Sequence, residues 1–375
     1  MSGVLGQVAF FVVLILVILV HEGAHYGVAK AFGFKVEEFF VGFGPKLWSI
    51  RRGETEYGVK LLPAGGYVKI AGMNPFQRVA PEDLPRTYAA KPPYQRALMV
   101  AAGPVTHFAL ALAFFGLWLG LVGEPRLARV VAQVPARIDG QPSPAHEAGL
   151  RPGDVIVGIG PIDHPTDEQF QAYTRAHVGR PIEVRVERDG RVLAVTLRPV
   201  WDEIDGERVA RIGVLLDLVE VGRDRAGPVR ALVRGAGLVG QSVAVTVRSL
   251  GEIFGPRGIG RVFELLFTDA PRAATDPVSP IGVGRAVGET ASAGLFGDVL
   301  YVFGAVNVFI GVLNLIPLPP FDGGHLAVLA VEKVRGRRID PRRLVPLTAA
   351  VATFFILFGL SVVYLDLVKP VRLLP

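Results

Sequence analysis

Residues Val4–Gly33 read VLGQVAFFVVLILVILVHEGAHYGVAKAFG, and the rest of the chain is organised around them. From Val4 to Val20 only Gly6 and Gln7 interrupt an apolar run. His21-Glu22-Gly23-Ala24-His25 then follows without a helix breaker. At ~100° per residue, His21 and His25 fall on one helical face one turn apart. That spacing lets two imidazoles grip one zinc ion, with Glu22 beside them as base for a water the metal activates. The helix is long enough to span a bilayer, where ionisable groups are costly and usually functional. A cleaved signal peptide is the rival reading, since Ala29-Lys30-Ala31 resembles a small-residue cleavage site. Against it, residues 1–7 carry no positive charge and the apolar run exceeds the ~7–15 residues of a signal core.

Composition agrees with a membrane protein. Half of the 375 residues are hydrophobic, mean hydropathy is +0.41, and the apolar residues gather in long runs. The net charge of +6 does not point to nucleic acid, because no basic run is interleaved with aromatics. No cysteine is present, so any metal must be held by histidine and carboxylate.

Outward from the first span (1–33), residues 32–96 carry ten Lys/Arg against six acidic residues. The positive-inside rule places this loop in the cytoplasm and His21 in the cytoplasmic half of the helix. Within 34–96, Val41-Gly42-Phe43-Gly44-Pro45 reads as a tight apolar turn, and Glu56–Ile70 as two short strands around Pro63-Ala64-Gly65-Gly66. This membrane-associated sheet either offers an edge to an extended peptide, with Tyr57, Val59, Leu61, Tyr67 and Val68 as candidates, or is a plain surface hairpin. Pro75–Pro93 reads as a linker or mobile loop. Residues 97–122 form the second span, interrupted by Gly103-Pro104, Thr106 and His107. His107 is open to three readings: a ligand, a polar group for substrate, or a histidine satisfied by a neighbouring helix.

Residues 124–200 change register to strands, short helices and an Asp189-Gly190 hairpin. Residues 201–295 then hold a strand-like run, Val209–Glu220, and an apolar stretch, Gly235–Phe254, broken by Arg248 and Glu252. The latter reads as an amphipathic helix on the outer membrane surface. Pro280–Gly284 reads as an ordered turn. In the third span, 296–318, Gly304, Asn307, Gly311 and Asn314 share one face that should point inward. The Pro317-Leu318-Pro319-Pro320 stop leads into a loop and short helix, 319–343. Its basic residues put that end in the cytoplasm, and the fourth span, 344–368, returns outward. Both termini are then extracytoplasmic. Two histidines need a third ligand, and Asp322 is the acidic residue that topology brings to their depth, where Gly323-Gly324 lets the chain turn; His325 is the runner-up.

These residues are recognisable. His21-Glu22-x-x-His25 and Asn314-x-x-Pro317-x-Pro319-Pro320-x-Asp322-Gly323-Gly324 resemble the site-2 protease family of intramembrane zinc peptidases. Gly42-Phe43-Gly44-Pro45, the 56–70 hairpin and Ala102-Gly103-Pro104 share the resemblance; His107, where that family commonly has Asn, departs from it. The Ala148-Gly149-Leu150-Arg151-Pro152-Gly153-Asp154 run is similar to bacterial PDZ domains, with 166–177 as the implied peptide-flanking helix and about 127–134 as the strand. A single such domain resembles Gram-positive and actinobacterial members of the regulator of sigma-E protease type. The fold expected is a polytopic α-helical protein of four transmembrane helices, with a membrane-associated β-sheet and an inserted α+β PDZ-like extracytoplasmic domain. The resemblance implies Zn2+ on His21, His25 and Asp322, with Glu22 as catalytic base and Asn314 as a donor to peptide or oxyanion. It also implies single-span substrates such as anti-sigma factors, shortened beforehand by a site-1-type protease, in a bacterial cell membrane. Two other classes are weighed: a PDZ-bearing scaffold has no need of Glu22, and a metal transporter should carry ionisable groups through the full membrane depth.

Overall fold

A computed structural model describes residues 2–138, 140–204, 207–273 and 275–371. Two compact units divide the chain. Residues 1–122 and 226–375 make one, and Gly123–Arg225 make the other.

The first unit begins with α1 (Ser2–Ala31), 30 residues or about 45 Å of helix. After it, β1 (Val36–Arg52) and β2 (Thr55–Ile70) replace the expected 56–70 hairpin. Residues 36–41 pair on one side with 66–70, Phe40 lying opposite Tyr67, and on the other with 56–59, Phe40 lying opposite Gly58. Residues 46–52 pair with 55–60. The sheet therefore has four segments in the order 46–52, 55–60, 36–41, 66–70. Gly42 and Gly44, both at positive φ, turn the chain between the two halves of β1. Gly58 is obligatory for another reason: a Cβ there would overlap the Trp48 carbonyl and the Phe40 ring.

The segment after β2, expected to be a linker, is tied down. Arg86 makes a bidentate pair with Glu54, both bonds 2.7 Å, and Tyr88 N donates to Ala71 O. The Arg86 guanidinium, with Lys30, holds the Glu54 carboxyl at a pKa of about 2. Next comes α2 (Pro93–Leu117), continued by one wide turn, Trp118–Val122.

The second unit comprises β3 (Glu124–Gln133), β4 (Arg137–Ile138), β5 (Gln141–Pro142), α3 (Pro144–Glu147), β6 (Val155–Ile159), β7 (Ile162–Asp163), α4 (Asp167–Ala176), β8 (Ile182–Arg188), β9 (Arg191–Leu197), β10 (Val200–Ile204), β11 (Glu207–Arg211) and β12 (Leu215–Asp224). The strand order of its main sheet is β12-β3-β6-β8-β9, with β7 paired to β6. Alternation along β8 puts Ile182, Val184 and Val186 into the core with Val131, Ile159 and Phe170. Thr166 caps α4 in a complete capping box with Gln169. The unit extends 25 residues beyond the expected boundary at 200, because β12 pairs with β3 along its length. The expected strand-like run, Val209–Glu220, is in fact the end of β11, a turn at Ile212–Val214, and the start of β12.

The first unit resumes with α5 (Pro228–Ile253), α6 (Pro256–Phe267), α7 (Pro280–Ser292), α8 (Val299–Asn314), α9 (Asp322–Arg335) and α10 (Val345–Val368). Four helical stretches are long and apolar enough to cross a membrane: Gly3–Ala31, Pro93–Val122, Phe296–Asn314 and Pro341–Val368. The third ends at Asn314, short of the expected 318, because Pro317, Pro319 and Pro320 cannot continue a helix.

Helix α5 packs against two of the membrane-length helices. Ala231 and Leu238 pack into Ala111, Phe115 and Leu119 of α2 and its extension and Val308 of α8. Its far end, Leu250 and Gly251, lines one apolar cavity with Leu315 and Ile316, just past the end of α8. Helix α6 then returns, so that Leu265 packs on Leu365 and its carbonyl accepts from Lys369 Nζ at 3.1 Å. Helices α5 and α6 thus run out and back against α2, α8 and α10. An apolar cavity of about 820 Å³ opens between α5, α8 and α10, lined by Phe108, Val247, Val312 and Phe354 among others.

Pro280–Gly284, expected as a turn, is the start of α7 with Pro280 in its first turn. Its glycines serve close approach: a Cβ on Gly284 would press on Phe10 and Phe11 of α1.

Candidate metal centre

Four elements converge on His21. Helix α1 supplies His21, Glu22 and His25, and α9 supplies Asp322 in its first turn, where the helix dipole favours a carboxylate. His25 Nε2 lies 3.2 Å from His21 Nε2. Asp322 Oδ2 lies 3.5 Å from His21 Nε2 and 3.4 Å from His25 Nε2. Ligand atoms 2.0–2.1 Å from a tetrahedral zinc stand about 3.3–3.4 Å from one another, so these three atoms already form a face of that tetrahedron. They are the one such group of His and acidic side chains among the described residues. The other nitrogen of His25, Nδ1, donates to the Met99 carbonyl at 2.8 Å, which leaves Nε2 free to ligate.

Helix α2 makes room for this face at Gly103. Any side chain there would overlap both imidazoles. Gly323 and Gly324 have a different reason from the one expected. Neither has positive φ. Both lie within α9, and a Cβ on either would collide with the backbone of 315–319. They let the first turn of α9 press onto the proline loop, which sets the depth of Asp322.

A cavity of about 320 Å³ surrounds the group, lined by Glu22, Gly66, Tyr67, Val68, Asn314 and His325 among others. Asn314 faces it, while Gly304, Asn307 and Gly311 of the same stripe are buried against α2. His325 lines the cavity but is not part of the ligand triangle. The sheet edge 66–70 borders the centre closely: a Cβ on Gly66 would come within 2.9 Å of Glu22 Cγ. Tyr67 and Val68 therefore lie on an edge beside the metal face. Tyr57 and Val59 do not, because their segment is already paired on both sides. The Tyr57 hydroxyl is engaged with that of Tyr26, and Leu61 is exposed away from the cavity lining. Tyr67 donates to Glu38 Oε2, and burial together with this bond raises its pKa.

In the second unit, the strand expected to receive a peptide, about 127–134, is flanked on both sides, by β12 along its length and by β6 at Arg129 and Val130. β3 lies between β12 and β6. β12 is the outer strand next to β3, as β9 is at the opposite end, and it is preceded by Ile212-Gly213-Val214, a turn held by Ala145 N to Ile212 O at 2.8 Å and Ser143 Oγ to Gly213 O at 3.3 Å.

Sequence reading missed the parts played by Gly103, the Met99 carbonyl and Gly66. Gly103-Pro104 inside an apolar span was the available signal.

Two imidazoles on a membrane-length helix and a carboxylate from α9 in a ligand triangle, with a glutamate alongside, are the donor set of a zinc hydrolase. The profile of Peptidase family M50 matches residues 9–359. The chain is 32% identical to zinc metalloprotease Rip1 of Mycobacterium tuberculosis over 413 aligned positions, covering 100% of both proteins. It is 31% identical to zinc metalloprotease Rip1 of Mycolicibacterium smegmatis, covering 98% of both. The chain belongs to peptidase family M50, the site-2 protease family, and is a zinc metalloprotease.

Proposed function

We propose that this zinc metalloprotease is an endopeptidase that cuts single-span membrane proteins within the bilayer. The observation that carries the reading is the triangle of His21 Nε2, His25 Nε2 and Asp322 Oδ2, with edges of 3.2–3.5 Å, two of its corners on the membrane-length helix α1 and the third at the start of α9. In this reading His21, His25 and Asp322 hold zinc. Bound there, zinc supplies Lewis acidity toward a scissile carbonyl and makes water a nucleophile near neutral pH. Glu22 takes the proton of the attacking water and delivers it to the leaving amine. Asn314, on the cavity wall, donates to the peptide or to the developing oxyanion.

A substrate helix must unwind first, since its carbonyls are already paired. The 66–70 edge favours the unwound form by offering backbone partners beside Glu22. The apolar cavity along α10 suits the part that stays helical. The basic residues of 32–96 and 333–343 support an orientation with the centre in the cytoplasmic half and both termini and the second unit outside. The second unit then acts as a PDZ-like module. We assign peptide-end capture to the outer edge of β12 near Ile212-Gly213-Val214, or size exclusion to the unit as a whole. Anti-sigma-factor-like proteins, trimmed beforehand by a site-1-type protease, are the proposed substrates, in regulated intramembrane proteolysis at a bacterial cell membrane. The test is cleavage of a single-span reporter by wild type and Glu22→Gln. Loss in the variant, with one equivalent of zinc retained, supports the reading; equal cleavage by both overturns it.

A further inference from the structure

Helix α2 carries a buried imidazole to which the hydrolytic steps assign nothing. His107 is 1% exposed, and its ring centre lies 4.9 Å from that of His21, the planes tilted by 36°. Gly311 makes space for it: a Cβ on that residue would come within 3.0 Å of His107 Cβ.

The proton on His107 can be located from its neighbours. Asn307 Nδ2 donates to Phe303 O at 2.9 Å, so the amide oxygen is the end turned to His107. His107 Nδ1 lies 3.2 Å from that oxygen and must be the donor. A neutral imidazole with its proton on Nδ1 has a bare lone pair on Nε2. His21 presents the complementary need. Its Nε2 faces His25 and Asp322, so its proton sits on Nδ1, and Nδ1 is buried without a hydrogen bond. A buried donor without a partner is expensive. The Gly103 carbonyl, which accepts from Thr106 Oγ1 at 2.7 Å, also faces the His21 ring but makes no hydrogen bond of acceptable geometry to Nδ1.

We propose that His107 is a positioning residue of the metal centre, accepting the Nδ1 proton of His21 and thereby fixing the tautomer and tilt with which His21 presents Nε2 to zinc. The inference rests on the zinc reading of His21. An N–H···N contact of about 3.0 Å, with roughly 1.1 Å from each ring centre to its nitrogen, puts ring centres roughly 5.2 Å apart at full extension. The observed 4.9 Å needs only rotation of the rings. The relay then runs from the Phe303 carbonyl through Asn307 and His107 to His21. It is the counterpart of the Met99 carbonyl that already serves His25.

The test measures zinc affinity by chelator competition, and the ligand-field spectrum with Co2+, on the full-length protein in detergent. The variants are His107→Leu, His107→Asn and Asn307→Leu, with thermal unfolding as a control. We expect His107→Leu to weaken zinc 10- to 100-fold and to shift the Co2+ bands. His107→Asn, whose amide oxygen can accept, should restore both. Asn307→Leu, which frees the His107 tautomer, should fall between. Wild-type affinity and spectrum in His107→Leu would overturn the proposal and give the His21 proton to Gly103 O. Equal loss in His107→Leu and His107→Asn would also overturn it, as a packing defect. If His107→Leu does not fold, Asn307→Leu decides alone, and unchanged affinity there counts against the relay. His21→Ala separates the two readings: should it bind zinc like wild type, the ligand assignment fails rather than the relay.

Discussion

Gly103 illustrates how much of the centre depends on an atom that is missing. The site has space for two imidazoles because α2 offers no side chain there. Gly103→Ala should therefore cut zinc content by at least about tenfold, the scale of a disturbed ligand shell, while the helices stay folded. Metal analysis beside circular dichroism checks this. Glu54 permits a prediction about pH. Its folded pKa of about 2 lies below the ordinary carboxylate value of about 4.3. A depressed pKa means the pairing with Arg86 and Lys30 stabilises fully above that ordinary value and fades as pH falls through about 2. In thermal unfolding, the difference between wild type and Glu54→Gln should be constant above pH 5 and close toward pH 2. Among single residues, His21, Glu22, His25 and Asp322 were readable because a ligating pattern has few other uses in an apolar helix. Gly103 and the His107–Asn307 pair were not, since a contact between two helices is written in neither one alone.

The elements differ in how much of themselves they reveal. Uniformly apolar helices such as α1 and α10 are legible because lipid contact tolerates little else. The amphipathic character of α5 was legible from its apolar stretch and from Arg248 and Glu252, but its path along other helices was not. Only its contacts with α2 and α8 disclose that path. The four-segment sheet was half legible. Its turns carry glycine signals, but the pairing of 36–41 with two separate parts of β2 is a long-range choice. The edge at 66–70 leads to a prediction at this scale. In a strand, successive N–H groups alternate between the partner and the open side. Proline placed singly at 67 and at 68 should include one variant that loses an outward donor. Reporter cleavage should fall about tenfold in that variant, one backbone hydrogen bond, with zinc content unchanged. Proline at 59, inside the sheet, should instead lower stability.

At the scale of the molecule, the second unit enters and leaves the first through neighbours. Glu124 pairs with Asp224 across β3 and β12, and Ala226 N donates to Leu119 O at 2.9 Å. Replacing 124–224 by a short Gly-Ser bridge should therefore leave zinc binding as in wild type. Selectivity among reporters with large and small outer domains should relax. Retained selectivity would dissociate this unit from substrate choice.

The ligand triangle joins residues three hundred positions apart, one set near the beginning of the chain and one near its end. Ribosomes build proteins from the first residue onward, so His21 and His25 are inserted long before their third partner exists. A chain stalled or degraded before Asp322 is translated cannot complete the triangle. If the triangle holds the zinc, a product cut off before Asp322 therefore cannot hydrolyse its neighbours.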